Sequence, residues 1–209
     1  MLFSLALDHL VVAARTLDEG AAYVEAVLGV RLSPGGQHVH MGTHNLLLSL
    51  GPKDYLEVIA VDPDAVPPDR PRWFNLDGFQ GAPRMTNWVC RTDDLDEALG
   101  AAPHGTGHIF EFTRDDLRWA MALPDDGCLP FDAAMPALIE WDAGSAHPAA
   151  RLPDRDLRLS RLDVFHPEAD SLLAAFPALR TADRISVRTG PEKRLIATIS
   201  TPEGTRVLA

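Results

Sequence analysis

Two side chains that could take part in chemistry interrupt apolar stretches of the sequence. His9 lies within residues 5–14 (LALDHLVVAA), and Glu57 lies within residues 55–61 (YLEVIAV). Both stretches have the composition and length of buried β-strands. A carboxylate in such a strand is destabilised unless it meets a cation, a hydrogen-bond donor or a metal ion. Imidazole and carboxylate groups are also common ligands of divalent metals, so these two residues are the first candidates for a functional site.

Each of these residues also has a purely structural interpretation. His9 could hydrogen-bond to the backbone inside the core. Glu57 could pair with an arginine, or point outward from a sheet that has one solvated face. Glu140, within residues 137–141 (ALIEW), raises the same question in another apolar stretch. Two acids in comparable positions are more informative than one, and together they favour a functional site.

Arg118 and His44 are candidates for binding a substrate. Arg118 lies on the strand face opposite Trp119, and it could neutralise an anionic substrate. It could equally pair with Glu57 or Glu140, which would make the site structural. His44 follows a Gly-Thr pair at a strand entrance, where it is either a proton donor in a cavity wall or a residue that caps the turn.

His38 and His40 are spaced to share one face of a strand. A histidine pair with this spacing could form part of a metal site. The two residues follow Gly35 and Gly36 in a predicted loop, however, so we interpret them as solvated side chains outside any metal site.

The elements that position these residues form a repeating unit. The first copy has the order strand, helix, strand, strand, strand, predicted over residues 5–14, 17–28, 30–32, 44–50 and 55–61. Its helix begins after Thr16, whose partner in a capping box is Glu19, and ends at Gly29. The sequence SPGG after the short strand predicts a turn or loop.

A second copy of this βαβββ unit follows at an offset of 78 residues, which places Leu95 on Leu17 and Asn87 on His9. Its elements are predicted over residues 85–91, 92–102, 117–123 and 137–141. A third, fainter copy fills the C-terminal quarter, with Arg161 at the position of His9. The predicted modules are residues 1–62, 84–145 and 155–209. The first two are joined by residues 63–83, a proline-rich linker whose large apolar side chains indicate that it packs against the protein.

Charge and composition exclude several classes of function. The 19 basic and 30 acidic residues give a formal net charge of −11, so we expect neither nucleic acid nor a membrane surface as a partner. No apolar run approaches the roughly 20 residues that span a bilayer, and the N-terminus has no signal-peptide pattern, so we expect a cytoplasmic protein. Nucleotide cofactors and serine hydrolysis are disfavoured because the sequence has neither a phosphate-binding glycine loop nor a nucleophile-elbow motif.

Three short motifs carry a resemblance to a known family. The Asp8-His9 pair, the GTHN sequence at residues 42–45 and the YLE sequence at residues 55–57 resemble the glyoxalase-like branch of the vicinal oxygen chelate superfamily. The resemblance covers residues 5–145. It implies an α+β fold in which paired βαβββ modules form a cupped mixed β-sheet. The third, βαβββ-like C-terminal module lies outside that common core.

The same resemblance implies a metal site. In that superfamily, ligands from the first and last strands of each module hold one divalent metal, which the substrate chelates through neighbouring oxygens. The resemblance therefore implies that His9, Glu57 and Glu140 are metal ligands, and that Glu57 or Glu140 acts as the catalytic base. Asn87 departs from the pattern, since an amide is a weak ligand. Manganese, iron, nickel and zinc are all chemically reasonable metals for this set.

The predicted function is a divalent-metal-dependent enzyme of the lyase, isomerase or dioxygenase type. It would act on a small oxygenated substrate bound by His44, Asn87 and Arg118. The alternative is a metal-free protein that binds or sequesters a small molecule on the same fold, in which case Asn87 marks a lost metal site. A further hypothesis is a homodimer formed through the C-terminal module, because exposed sheet edges invite pairing.

Overall fold

The computed structural model describes residues 3–209, which form the α+β fold that the sequence predicts. The first module contains β1 (Leu5–Ala13), α1 (Leu17–Leu28), β2 (Ser33–His38), β3 (Thr43–Ser49) and β4 (Tyr55–Val61). The second contains β5 (Arg84–Thr92), α2 (Leu95–Ala101), β6 (His108–Arg114), β7 (Leu117–Leu123) and β8 (Ala137–Trp141). After a short helix, α3 (Pro148–Arg151), the third contains β9 (Arg158–His166), α4 (Ala169–Ala175), β10 (Ile185–Thr189), β11 (Arg194–Thr201) and β12 (Gly204–Leu208).

The first two modules share one curled sheet of eight strands in the order β2-β3-β4-β1-β5-β8-β7-β6. Within each module the first strand pairs in parallel with the last strand, β1 with β4 and β5 with β8. The two halves join through the antiparallel pair of β1 and β5. Because the edge strands β2 and β6 approach each other, the sheet forms a cup with one concave face.

Helix α1 begins and ends where the sequence predicts. The Thr16 side chain accepts a hydrogen bond from the backbone N–H of Glu19 (3.2 Å), and Gly29 ends the helix with a left-handed φ of 73°. Gly20 lets the helix approach the sheet closely, since a Cβ at this position would lie 2.3 Å from Cγ1 of Val58. The helix therefore packs against the convex face of the cup.

Strand β2 corrects one prediction. The sequence predicts a strand over residues 30–32 followed by a loop, whereas the strand occupies Ser33–His38 and includes both glycines. A Cβ on Gly35 would lie 2.0 Å from Oδ1 of Asn45, and the backbone N–H of Gly36 donates to that same oxygen (2.8 Å). The two glycines are therefore a strand segment that passes close to the Asn45 side chain.

Strand β6 is an element that the sequence pattern does not predict. Only Phe112 is buried among its seven residues, so it lacks the apolar alternation that usually marks a strand. It is held by antiparallel pairing with β7 along its whole length. This strand ends at Arg114, whose side chain reaches the inside of the cup.

Apolar side chains pack on both faces of the cup. The convex face shares a core with α1, α2, α4 and the C-terminal sheet, in which Leu10, Trp88 and Phe176 are fully buried. The concave face carries a second core that includes Val11, Ile59 and several aromatic residues. Trp73, Phe74 and Leu76 of the proline-rich connection are buried in this second core, so the connection packs on the concave face.

The third module repeats the element order but not the strand pairing. Its four-stranded sheet has the order β10-β9-β11-β12, so its first strand lies inside the sheet rather than beside its last strand. It is tied to the first module by a 2.7 Å ion pair between Arg184 and Asp54. Within residues 3–209, no helix has the length and apolar character needed to cross a bilayer.

Candidate active site

The concave face of the cup contains a cavity of about 420 Å³, its mouth included, with a largely aromatic lining. Both of the first two modules and the connection between them contribute to it. The lining residues are His9, His38, Asn45, Leu47, Tyr55, Glu57, Trp73, Phe74, Arg114, Trp119, Met121, Ile139 and Trp141. A concave, mainly apolar space with a few converging polar groups is typical of sites for small molecules.

A β-bulge in β1 brings Asp8 and His9 together at this cavity. In the pairing with β5, Leu7 lies opposite Cys90 and His9 lies opposite Val89, so Asp8 is an extra residue. A bulge of this kind re-aims neighbouring side chains that would otherwise alternate between the two faces. As a result, Oδ1 of Asp8 lies 2.7 Å from Nδ1 of His9.

The buried Asp8 carboxylate is held ionised by its neighbours. Its Oδ2 accepts from Nε1 of Trp141 (3.0 Å) and lies 2.9 Å from Nε2 of His147. Burial by itself raises the pKa of Asp8, but the bonds to His147 and His9 outweigh burial and hold the pKa well below its ordinary value. An ionised carboxylate at Nδ1 of His9 fixes the proton on that nitrogen and leaves Nε2 free to act as a base.

Nε2 of His9 faces Glu57 across 3.7 Å, measured to Oε2. The other oxygen of Glu57, Oε1, accepts a hydrogen bond of 2.6 Å from the Asn45 amide. The orientation of that amide is set in turn by Gly36, whose backbone N–H donates to its oxygen. The Asn45 amide therefore holds one oxygen of Glu57 in place, while the other oxygen faces Nε2 of His9.

His38 and Arg114 extend the polar groups across the cavity. Nη1 of Arg114 lies 2.9 Å from Nε2 of His38, and Nδ1 of His38 lies 3.1 Å from Oγ1 of Thr43. Burial, together with the Arg114 guanidinium, lowers the pKa of His38 from 6.5 to about 3. His38 is therefore a neutral imidazole that accepts from Arg114 and donates to Thr43.

These side chains form a continuous line through the site, which we name the polar row. Its members, in spatial order, are His147, Asp8, His9, Glu57, Asn45, His38 and Arg114. Aromatic rings border the row on both sides. His9 stacks on Tyr55 with 4.5 Å between ring centroids, and the edge of His38 meets Trp73 at 4.9 Å.

Comparison with known families decides the classification. The sequence pattern of the glyoxalase-like domain family matches residues 7–179, most of the chain. The chain belongs to that family. This family is the glyoxalase-like branch of the vicinal oxygen chelate superfamily, which the three short motifs resemble. No curated protein sequence matches the chain.

Solved structures are similar to the chain at low sequence identity, and the first of them has a similar overall fold. A hypothetical protein from Staphylococcus aureus is 13% identical over 91% of this glyoxalase-like chain and 88% of its own, with a TM-score of 0.63. Methylmalonyl-CoA epimerase from Mycobacterium tuberculosis is 18% identical, with 65% and 86% of the two chains covered and a TM-score of 0.42. The Streptomyces coelicolor methylmalonyl-CoA epimerase in complex with 2-nitronate-propionyl-CoA is 15% identical. The match covers 69% of this chain and 99% of the epimerase, with a TM-score of 0.45.

The glyoxalase-like cup brings together only two of the residues that the sequence singles out as metal ligands. His9 and Glu57 face each other in the cavity, but Glu140 does not line it, although its neighbours Ile139 and Trp141 do. The Glu140 carboxylate lies near the start of α2 and accepts a hydrogen bond from the backbone N–H of Leu95 (2.8 Å). Alternation along β8 places its side chain on the convex side.

The three residues predicted to bind substrate also lie outside the cavity lining. His44 alternates with Asn45 on β3 and is half-buried on the opposite face. Arg118 is exposed and lines a separate surface cleft that it shares with Glu140. Asn87 is buried, and its amide nitrogen has no hydrogen-bond partner within residues 3–209. Their roles in substrate binding stay predictions.

The donor set of the cavity fits a conventional catalytic metal site poorly. Such sites usually have three protein ligands, whereas only the Nε2 of His9 and the Oε2 of Glu57 face one another here. Across residues 3–209, no group of three or more histidine, cysteine, aspartate or glutamate side chains is placed to hold one ion. His38, the nearest further imidazole of the polar row, has its Nε2 bound to Arg114.

Several site residues escape prediction from the sequence. His38 is half-buried against aromatic rings, so its interpretation as a solvated loop residue is wrong, whereas the neighbouring His40 is exposed as predicted. Asn45 is part of the motif that carries the family resemblance, which is a signal that could have indicated its role. Arg114 ends a strand with no apolar pattern, and His147 lies beyond the second predicted module, so neither has a local signal.

Proposed function

We propose that this glyoxalase-like protein is an enzyme that moves a proton on a small oxygenated substrate, as isomerases and many lyases do. The observation that carries the proposal is the arrangement of two proton carriers at one point of the cavity. Nε2 of His9, whose ring is held by the ionised Asp8, lies 3.7 Å from Oε2 of Glu57. An imidazole that is oriented by a buried carboxylate is a common form of general base.

The geometry suits transfer between neighbouring atoms of a substrate. A carbon next to a carbonyl would lose its proton to Nε2 of His9, and the resulting imidazolium would be stabilised by Asp8. The electron pair of the broken C–H bond would form an enolate on the substrate. The proton on His9 would then pass to the adjacent Glu57 carboxylate, which restores the base, and Glu57 would return a proton to a carbon of the enolate, which restores the carboxylate.

The surroundings of the pair support this chemistry. Side chains of three tryptophans, Trp73, Trp119 and Trp141, line the cavity, which limits the access of water. Electrostatic interactions between the pair and a developing enolate are stronger in such a low-dielectric space than in bulk solvent. The dimensions of the cavity restrict the substrate to a small molecule.

Proton exchange into candidate substrates tests the proposal. The protein would be incubated in D₂O with small ketones, hydroxyketones and 2-oxo acids, and loss of the carbon-bound proton would be followed by NMR. His9→Gln and Glu57→Gln should each lower the exchange rate about 100- to 10,000-fold. Matched controls are His108→Gln and Glu111→Gln on β6, which are exposed and away from the polar row. Thermal unfolding checks that each variant is folded.

Three other outcomes separate the remaining hypotheses. If exchange is as fast in His9→Gln and Glu57→Gln as in the wild type, the proposal is wrong. Binding of the probes without any exchange favours the alternative, a small-molecule binding protein, for which the aromatic lining is the supporting observation. Exchange that is lost after treatment with EDTA and restored by manganese, iron, nickel or zinc supports the metal dependence that the family resemblance implies.

A further inference from the structure

We propose that the substrate of this cavity is a small carboxylate with a planar aromatic body, and that Arg114 and Trp73 bind its carboxylate group. The inference rests on the proposed function, since it names the substrate class of the same cavity. A cation without a counter-ion, Arg114, and an indole donor without an acceptor, Trp73, carry the argument. The geometry assigns them to one end of the polar row, with His9 and Glu57 farther along it.

Arg114 is a half-buried cation without a counter-ion. Its Nη1 bonds to the neutral His38, and no carboxylate of residues 3–209 lies within 4 Å of its guanidinium nitrogens. Arg151, on the surface, shows the contrasting arrangement: it makes two hydrogen bonds, of 2.6 and 2.7 Å, to Asp116. The planar fork of a guanidinium matches the two oxygens of a carboxylate. Arg114 therefore has the chemistry and the free donors to bind a ligand carboxylate.

Trp73, which lines the same cavity, carries a second donor. Its ring is buried, and its indole Nε1–H has no hydrogen-bond partner among the described residues. Two other indoles have an acceptor: Trp88 donates to the carbonyl of Ala134 (3.1 Å), and Trp141 donates to Asp8 (3.0 Å). A buried donor without an acceptor is destabilising and is rare in native proteins. An oxygen of a bound ligand would satisfy it.

His38 links these two donors. Its ring lies 2.9 Å from Arg114 through Nε2 and meets the Trp73 ring edge-on, with 4.9 Å between centroids. Because His38 is neutral, Arg114 supplies the positive charge at this end of the cavity. Glu57 lies two side chains farther along the polar row and repels a carboxylate electrostatically. These charges orient an anionic substrate with its carboxylate at Arg114 and the rest of the molecule toward His9.

The aromatic rings select the body of the substrate. Trp73, Trp119 and Trp141 line the cavity, and the ring centroids of Trp119 and Trp141 lie 5.6 Å apart. Flat rings pack against such faces with little loss of side-chain entropy. A substrate that combines a carboxylate, an adjacent carbonyl and an aromatic ring would use all three features of the cavity.

Binding measurements test this inference independently of catalysis. The probes are phenylpyruvate, its methyl ester and pyruvate, with affinities measured by calorimetry and by tryptophan fluorescence. Phenylpyruvate should bind at least tenfold more tightly than either of the other two. Arg114→Gln should raise the Kd for phenylpyruvate about 10- to 100-fold and the Kd for the ester less than threefold, because a charge-assisted bond is lost only with the anion. Trp73→Phe, which keeps a ring and removes the donor, should raise the Kd for phenylpyruvate severalfold.

Arg31→Gln, at an exposed arginine before β2, is the matched control and should leave all three affinities unchanged. Equal binding of the acid and its ester, no binding of phenylpyruvate at millimolar concentration, or an equal loss in Arg114→Gln and Arg31→Gln would each overturn the inference. If the wild type shows no proton exchange but His9→Gln still binds the carboxylate, the proposed function is wrong and this inference stands. If the wild type exchanges protons on neutral ketones and shows no preference for carboxylates, this inference is wrong and the proposed function stands.

Discussion

Replacing His38 with glutamine should make the stability of the protein less sensitive to mild acid. In the folded protein, burial and the nearby Arg114 guanidinium lower the pKa of His38 from 6.5 to about 3. In the unfolded chain this imidazole takes up a proton near pH 6.5. Between these two pKa values the unfolded state binds one more proton than the folded state, so the stabilisation present above pH 6.5 is lost progressively as the pH falls toward 3.

The size of the effect follows from the two pKa values. Each pH unit below 6.5 removes about 1.4 kcal/mol from the free energy of unfolding, so His38 alone should account for about 2 kcal/mol between pH 7.5 and pH 5. Urea unfolding at pH 7.5, 6 and 5 measures this loss in the wild type. In His38→Gln, which cannot titrate in this range, the loss should be smaller by about 2 kcal/mol, even if the variant is less stable at every pH.

A control variant shows whether the difference belongs to His38. His108 is largely exposed, so His108→Gln should keep the pH dependence of the wild type. If His38→Gln and the wild type lose the same free energy of unfolding between pH 7.5 and pH 5, His38 is not held neutral in the folded protein. The bond that it accepts from Arg114 would then be wrong as well, since a protonated imidazole could not accept it.

Two further substitutions test the site and its support. Asp8→Asn should lower the rate of proton exchange about 100- to 10,000-fold, because the amide can no longer stabilise the His9 imidazolium; an NMR exchange rate equal to that of the wild type would contradict the role of Asp8. Gly35→Ala should lower the free energy of unfolding by about 1–3 kcal/mol, since the added Cβ would lie 2.0 Å from Oδ1 of Asn45. Urea unfolding measures that loss, and an unchanged midpoint would show that β2 can move away from Asn45.

The repeated βαβββ architecture was predictable because local signals in the sequence agree with it. The Thr16 cap, the Gly29 stop and the apolar strands each specify one element, and the offset of 78 residues repeats them. The edge strands lack such signals. Strand β2 contains Pro34 and two glycines, which ordinarily indicate a turn, and their strand conformation depends on contacts with Asn45, which is distant in sequence.

The site was only partly predictable, because side-chain direction depends on details that the pattern does not contain. Alternation along a strand separates Glu140 from Ile139, but it does not say which of them faces the cavity. The bulge at Asp8 breaks the alternation altogether and turns an apparent neighbour of His9 into its hydrogen-bond partner. Arg114 could not be inferred because its strand is held by pairing rather than by an apolar pattern.

The two halves of the cup differ in what they bring to the cavity. The first module supplies His9, Asn45 and Glu57, the groups that can move or orient a proton, while the second supplies Arg114 and aromatic side chains. At the position equivalent to His9, the second module has Asn87, which does not line the cavity. Under the proposed function, the first module would therefore serve catalysis and the second would serve binding. Under that proposal, the acid–base pair of the first module and Arg114 of the second lie at different points of one polar row.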